Sequence, residues 1–241
     1  MPAAARVWRA NQLDRETPAD AVRSTGHAAL DAELPGGGWP AAGLTELLLP
    51  AHGVGELRLL APALAGLALL WVAPPCVPYA PALAALGLAP ERLTVATVED
   101  APDAAWAAEQ ALRAGVLGAV LWWQRAVARD RAGAWSATLR RLHLAAEAGR
   151  TPLFALRPMA ERAQSSPAPL RLALAAAGPS RLAVEVFKRR GPPMATPLVL
   201  ELPAPLRRRR AGPAAHPADA ARASRPDDHA VVRLAPERVA A

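Results

Sequence analysis

The chain has 241 residues, of which 52% are hydrophobic and only 4% aromatic, and its formal net charge is +7. This length suits one core of ordinary size with a tail and is short for two cores. One cysteine, Cys76, and five scattered histidines leave neither a disulfide framework nor a Cys or His zinc cluster, which argues for a reducing cytoplasm and against a metalloenzyme.

The opening residues, MPAAARVWRANQLDRET, lack the apolar core of a secretory signal. Residues 1–23 read instead as a polar arm that docks by Trp8. Apolar strands alternating with helical stretches then predict an α/β sheet over 24–203. Strands are expected at 44–49, 69–73, 93–97, 117–123 and 152–156, with helices at 56–68, 79–87, 103–114 and 134–148. The uncharged stretch 59–90 is long enough to suggest a membrane span, but Pro62, Pro74, Pro75, Pro78 and Pro81 break it into buried elements, so no membrane role is expected. In the last helix Trp135, Leu139, Leu142 and Ala146 share one face, while Arg140, Arg141, His143 and Glu147 are expected to turn outward. Beyond Pro167 the pattern changes to three short strands without helices between them, at 170–175, 181–188 and 197–202, expected to add antiparallel strands. Residues 204–241 read as a disordered basic tail that opens with Arg207, Arg208, Arg209 and Arg210.

The densest signal is STGHAALDAELPGGGWP at 24–40, followed by the strand LTELLL and by PAHGVGEL at 50–57. RecA-type recombinases carry S-T-G-x-x-x-L-D-x-x-L-x-x-G-G-x-P, then a strand with a glutamate, then the phosphate loop. Ser24, Thr25, Gly26, Leu30, Asp31, Leu34, Gly37, Gly38, Pro40 and Glu46 match that pattern in register. The chain resembles more closely still the ImuA branch of that superfamily, also described as SulA-like. The elements that carry this likeness are VWRANQL, PGGGWP, TELLLP followed by GVGELRLL, APPCVPYAPAL, QSSPAPLRLAL and VEVFKRRGPP, from Val7 to Pro193. The resemblance implies a RecA-like, mostly parallel central sheet flanked by helices, with antiparallel strands near the C-terminus.

A working phosphate loop is G-x-x-x-x-G-K-[ST], because backbone amides wrap the phosphates, a lysine meets their oxygens and a hydroxyl holds magnesium. Aligned on Gly55, this chain has Pro50 at the first glycine, Gly53 within the loop, Glu56 at the lysine and Leu57 at the hydroxyl. A carboxylate facing the phosphates would repel them. The strand 117–123 ends in Trp122, Trp123 and Gln124 where a metal-holding aspartate belongs, and Pro74 and Pro75 stand where a base would orient water. Adjacent strand residues face opposite sides, so one member of the Trp122 and Trp123 pair points toward the nucleotide cleft and fills it; Trp123 is the one assigned there. The degenerate site is therefore Pro50, Gly53, Gly55, Glu56, Leu57 and Trp123, with no catalytic residue, no metal and no cofactor expected.

For contact with DNA or a protein partner, the candidates are Trp8, Arg125, Arg129, Arg131, Arg140, Arg141, Lys188, Arg189, Arg190 and the run Arg207, Arg208, Arg209 and Arg210. Arginine bias of this kind also follows from a GC-rich coding sequence, so these positions equally suit a solvated face. The resemblance implies a role in SOS-induced translesion synthesis and mutagenesis, in the cytoplasm at the nucleoid. The implied partners are an ImuB-type polymerase homologue, RecA and an error-prone replicative polymerase. Two alternatives stay open: a divergent DNA-dependent ATPase of the RecA superfamily, and a SulA-like inhibitor of the cell-division GTPase.

Overall fold

The computed structural model describes residues 21–124, 132–192, 194, 196–204 and 231–232. A first, two-stranded sheet pairs β1 (Val22–Arg23) antiparallel with β2 (Trp39–Pro40), enclosing the short α1 (Ala28–Asp31). Val22 and Arg23, expected within the N-terminal arm, pair instead with Pro40 and Trp39.

The main elements are β3 (Gly43–Leu49), α2 (Glu56–Leu64), β4 (Leu69–Val72), α3 (Ala80–Ala85), β5 (Leu93–Ala96), α4 (Ala101–Ala114), β6 (Ala119–Trp123), α5 (Ala132–Ala148) and β7 (Pro152–Pro158). Three late strands follow, β8 (Leu170–Gly178), β9 (Arg181–Lys188) and β10 (Leu198–Glu201), and then β11 (Val231–Val232). They form one nine-stranded sheet in the order β10-β9-β8-β3-β7-β6-β4-β5-β11. From β8 to β11 every neighbouring pair is parallel, and only β9 runs against its neighbours.

A parallel sheet must be covered on both faces, and the strands alternate accordingly. On β6, Ala119, Leu121 and Trp123 join α2 and α3 in one buried cluster, while Val120 and Trp122 join α4 and α5 in the other. Among the described residues no helix is long and apolar enough to cross a membrane.

Three expectations need correction. β8 is parallel to β3 (Glu46 opposite Arg171), so the antiparallel addition begins only at β9. The helix expected over 56–68 stops at Leu64, because Pro62 cannot donate in the last turn and Ala65 turns extended at φ −53°, ψ 133°. The tail expected to be disordered contributes β11, in register with Val95 and Ala96 of β5.

Candidate functional site

The glycine-rich loop 50–55 lies at the carboxyl end of β3 and runs into α2, whose N-cap is Gly55. Gly53 and Gly55 adopt φ of 84° and 129°, which suits glycine, and their N–H groups converge as helix-start donors do. The position expected to repel phosphate does something more specific. Glu56 folds back, so that Oε1 accepts the Gly53 N–H at 2.7 Å and Oε2 accepts the Gly55 N–H at 3.0 Å. The side chain is buried, so the Gly53 and Gly55 amides are already satisfied by an internal anion beside the positive end of α2.

The surroundings close over this arrangement. A Cβ on Gly55 would stand 3.3 Å from Leu202 and 3.5 Å from Leu182, which brings the loop against β9 and the segment after β10. Arg58 fastens that cover by donating to the carbonyls of Pro179 at 3.1 Å and Pro203 at 2.9 Å. Leu57 packs against the core on the α2 side, and Pro50 is exposed. Trp123 lies on that same side, stacked at a tilt on Trp71 with ring centroids 5.2 Å apart, and is buried.

The 24–40 motif forms the floor under α2. Asp31 accepts the Ser24 hydroxyl at 2.6 Å and the Thr25 N–H at 2.8 Å, while Leu30 and Leu34 enter the core. Gly26 is required by close approach, since a Cβ there would meet Pro62 Cβ of α2 at 2.3 Å. His27 reaches the Leu59 carbonyl at 3.3 Å. Burial works to raise the Asp31 carboxyl, but the hydrogen bonds from Ser24 and Thr25 and the nearby His27 outweigh it and hold the group below its ordinary value. A depressed folded value means that the stabilisation is complete above the unfolded pKa and fades as pH falls through the folded one. Asp31→Asn is therefore expected to cost about 1–2 kcal/mol at neutral pH. In urea titrations the gap to the natural chain should stay constant down to about pH 5 and narrow below about pH 4.

A second cluster was not anticipated as a unit. Glu46 is fully buried on the α5 side of β3 and pairs with Arg157 at 2.9 Å and Arg171 at 2.7 Å. Arg157 also meets Glu161 at 3.2 Å and the Gln124 side-chain oxygen, and the Ser166 hydroxyl donates to Glu46. The cause is the connection from β7 to β8. Parallel strands of one sheet are usually joined by a helix, but residues 159–169 cross β3 with only the short helical turn Met159–Glu161 and bring main-chain carbonyls inside. Arg171 donates to the carbonyls of Glu161 at 3.2 Å, Arg162 at 3.3 Å and Gln164 at 3.1 Å, and Glu46 balances the charge. The signal in the sequence was an arginine in each of two otherwise apolar strands, LFALRP and LRLAL, since a charge entering a core needs a partner.

Among the described residues the basic candidates fall at two places, α5 and the end of β9. Trp8, Arg125, Arg129, Arg131 and Arg207, Arg208, Arg209 and Arg210 lie outside the described residues. Arg140 is exposed on α5, and Arg141 beside it meets Glu109 of α4 at 3.4 Å. Lys188 donates to the Ser166 carbonyl at 2.7 Å; burial, then Arg171, lowers its pKa against the opposing pull of Glu46. Arg189 is a clamp, donating to Pro192 O at 2.7 Å and to Glu33 Oε2 at 2.8 Å, which ties β9 to the segment after α1. Arg190 is exposed. His143, expected to turn outward, instead faces β3 and accepts the Leu44 N–H on Nδ1 at 3.2 Å, which assigns its proton to Nε2 beside Glu147.

Compared with known proteins, the chain matches no family model and no curated sequence.

Proposed function

We propose that this chain is a non-catalytic, RecA-like accessory protein of bacterial DNA-damage tolerance. In this reading it is an adapter that joins an ImuB-type polymerase homologue, RecA or both to translesion synthesis. The family and the pathway rest on the resemblance of residues 7–193. The sheet supports the fold part of the reading: parallel strands covered on both faces, with the glycine loop joining β3 to α2 at the carboxyl edge, where α/β sheets bind ligands.

The observation that carries the non-catalytic part is the Glu56 carboxylate on the Gly53 and Gly55 amides. A triphosphate would have to displace an anion that is covalently part of the loop, and its own charge would be repelled by the displaced carboxylate. Leu57 supplies no oxygen to a metal, so magnesium would not offset that repulsion.

Calorimetry of the full chain with Mg·ATP is expected to give no saturable heat. Immobilised chain is expected to retain the polymerase homologue or RecA at moderate salt. Saturable nucleotide uptake at the loop, or loss of both proteins in the wash, would overturn the reading.

A further inference from the structure

One basic residue differs in chemistry from all the others. Of the chain's 28 lysines and arginines, Lys188 is the one lysine, so it carries the one side-chain amine. An amine that loses its proton is a nucleophile, whereas a guanidinium keeps its charge and stays inert. The surroundings of Lys188 decide how readily that proton leaves.

Lys188 ends β9, where the register sets it directly opposite Arg171 of β8. Like charges so placed repel each other. Glu46, the carboxylate whose field reaches Lys188, is buried and already shared by Arg157 and Arg171. Among the described residues the hydrogen bond made by Nζ is to an uncharged group, the Ser166 carbonyl at 2.7 Å. Partial burial and the Arg171 charge therefore favour the neutral amine over the ammonium, against the pull of Glu46. The residue is nonetheless exposed, so a reagent in solution reaches it.

The fold also accommodates an acylated product. An ammonium has three N–H groups and spends one on Ser166, and an amide at Nζ keeps one for the same contact. Acylation removes the charge that Arg171 opposes. Arg189 and Arg190 follow directly, and this run of positive charge favours an anionic acyl donor over a neutral one.

We propose that Lys188 is a site of N-acylation by small acyl phosphates, a modification that switches off one positive charge where β9 ends. The neutral amine attacks the carbonyl carbon and a C–N bond forms. The C–O bond to phosphorus's oxygen breaks with its electron pair on the departing phosphate, and the amine's proton passes to solvent.

The test uses the full chain and acetyl phosphate, with an N-terminally blocked peptide of residues 183–193 as reference. The peptide keeps Glu185, Arg189 and Arg190 but lacks Arg171 and Ser166, so the comparison isolates what the fold contributes. Followed by mass spectrometry at neutral pH, acetylation of Lys188 is expected to run at least about threefold faster in the chain than in the peptide. The pH at which the rate levels off should be lower in the chain. Equal rates in the two, a slower rate in the chain, or coincident pH profiles would overturn the proposal. None of these results bears on the adapter reading, whose non-catalytic part concerns the loop at the end of β3.

Discussion

Replacing Glu46 by alanine is expected to destabilise the protein by about 3–5 kcal/mol, among the largest effects of any single substitution in the core. The reason is what stays behind. Arg157 and Arg171 are both buried, and without the carboxylate Arg157 keeps only Glu161 as a counter-charge while Arg171 keeps only main-chain carbonyls. Ser166 loses its acceptor, and the Ala168 N–H that bonds to Ser166 Oγ at 3.1 Å loses an anchored partner. The crossover 159–169 should then loosen. Urea unfolding with a fixed slope measures the loss, and amide exchange at Ala168 reports the loosening. The double variant Glu46→Leu, Arg157→Met should cost less than the sum of its parts, because the charge it strands is smaller. A loss below about 1 kcal/mol for Glu46→Ala would mean that this carboxylate is solvated and the network absent.

Replacing Glu56 by alanine is expected to cost about 2–4 kcal/mol, since two charge-assisted hydrogen bonds disappear and the buried Gly55 N–H loses its acceptor. The Gly53 N–H is better placed to recruit water, because that residue is exposed, so exchange should rise most where burial had combined with the carboxylate, at Gly55. Glu56→Gln should fall between the two, because an amide offers one acceptor oxygen and turns a donor toward the remaining N–H. Thermal unfolding of the three proteins gives the order, natural chain above Gln above Ala. Equal stability of all three would show that the carboxylate points to solvent, and the non-catalytic reading would lose its main support.

Alternation of apolar strands with helical stretches placed nearly every element to within a few residues. The strand over 181–188 matches the structure at both ends, and the helix over 134–148 begins two residues early. These are local properties, carried by side-chain periodicity and by proline and glycine at the ends. The loop between β3 and α2 was legible for the same reason, because Gly53 and Gly55 separate an apolar strand from a helical stretch. Where Glu56 would aim was not. A carboxylate beside a helix start has two uses, facing an external ligand or capping its own loop, and the structure has the second, with Glu56 accepting the Gly53 and Gly55 N–H groups. His143 was misplaced on a helical wheel because the Leu44 N–H it accepts lies 99 residues away.

By itself, then, the order of residues determined that this chain forms an α/β sheet with helices packed against it and a glycine-containing loop between β3 and α2. Periodicity and residue chemistry act over a few positions and need no partner to be read. Tertiary structure alone decided that β8 joins β3 in parallel, that Glu46 balances two arginines from other strands, and that β5 is covered by Val231–Val232. Those outcomes depend on which distant segments become neighbours, and a buried charge or an open strand edge has an energy only once its neighbour is in place.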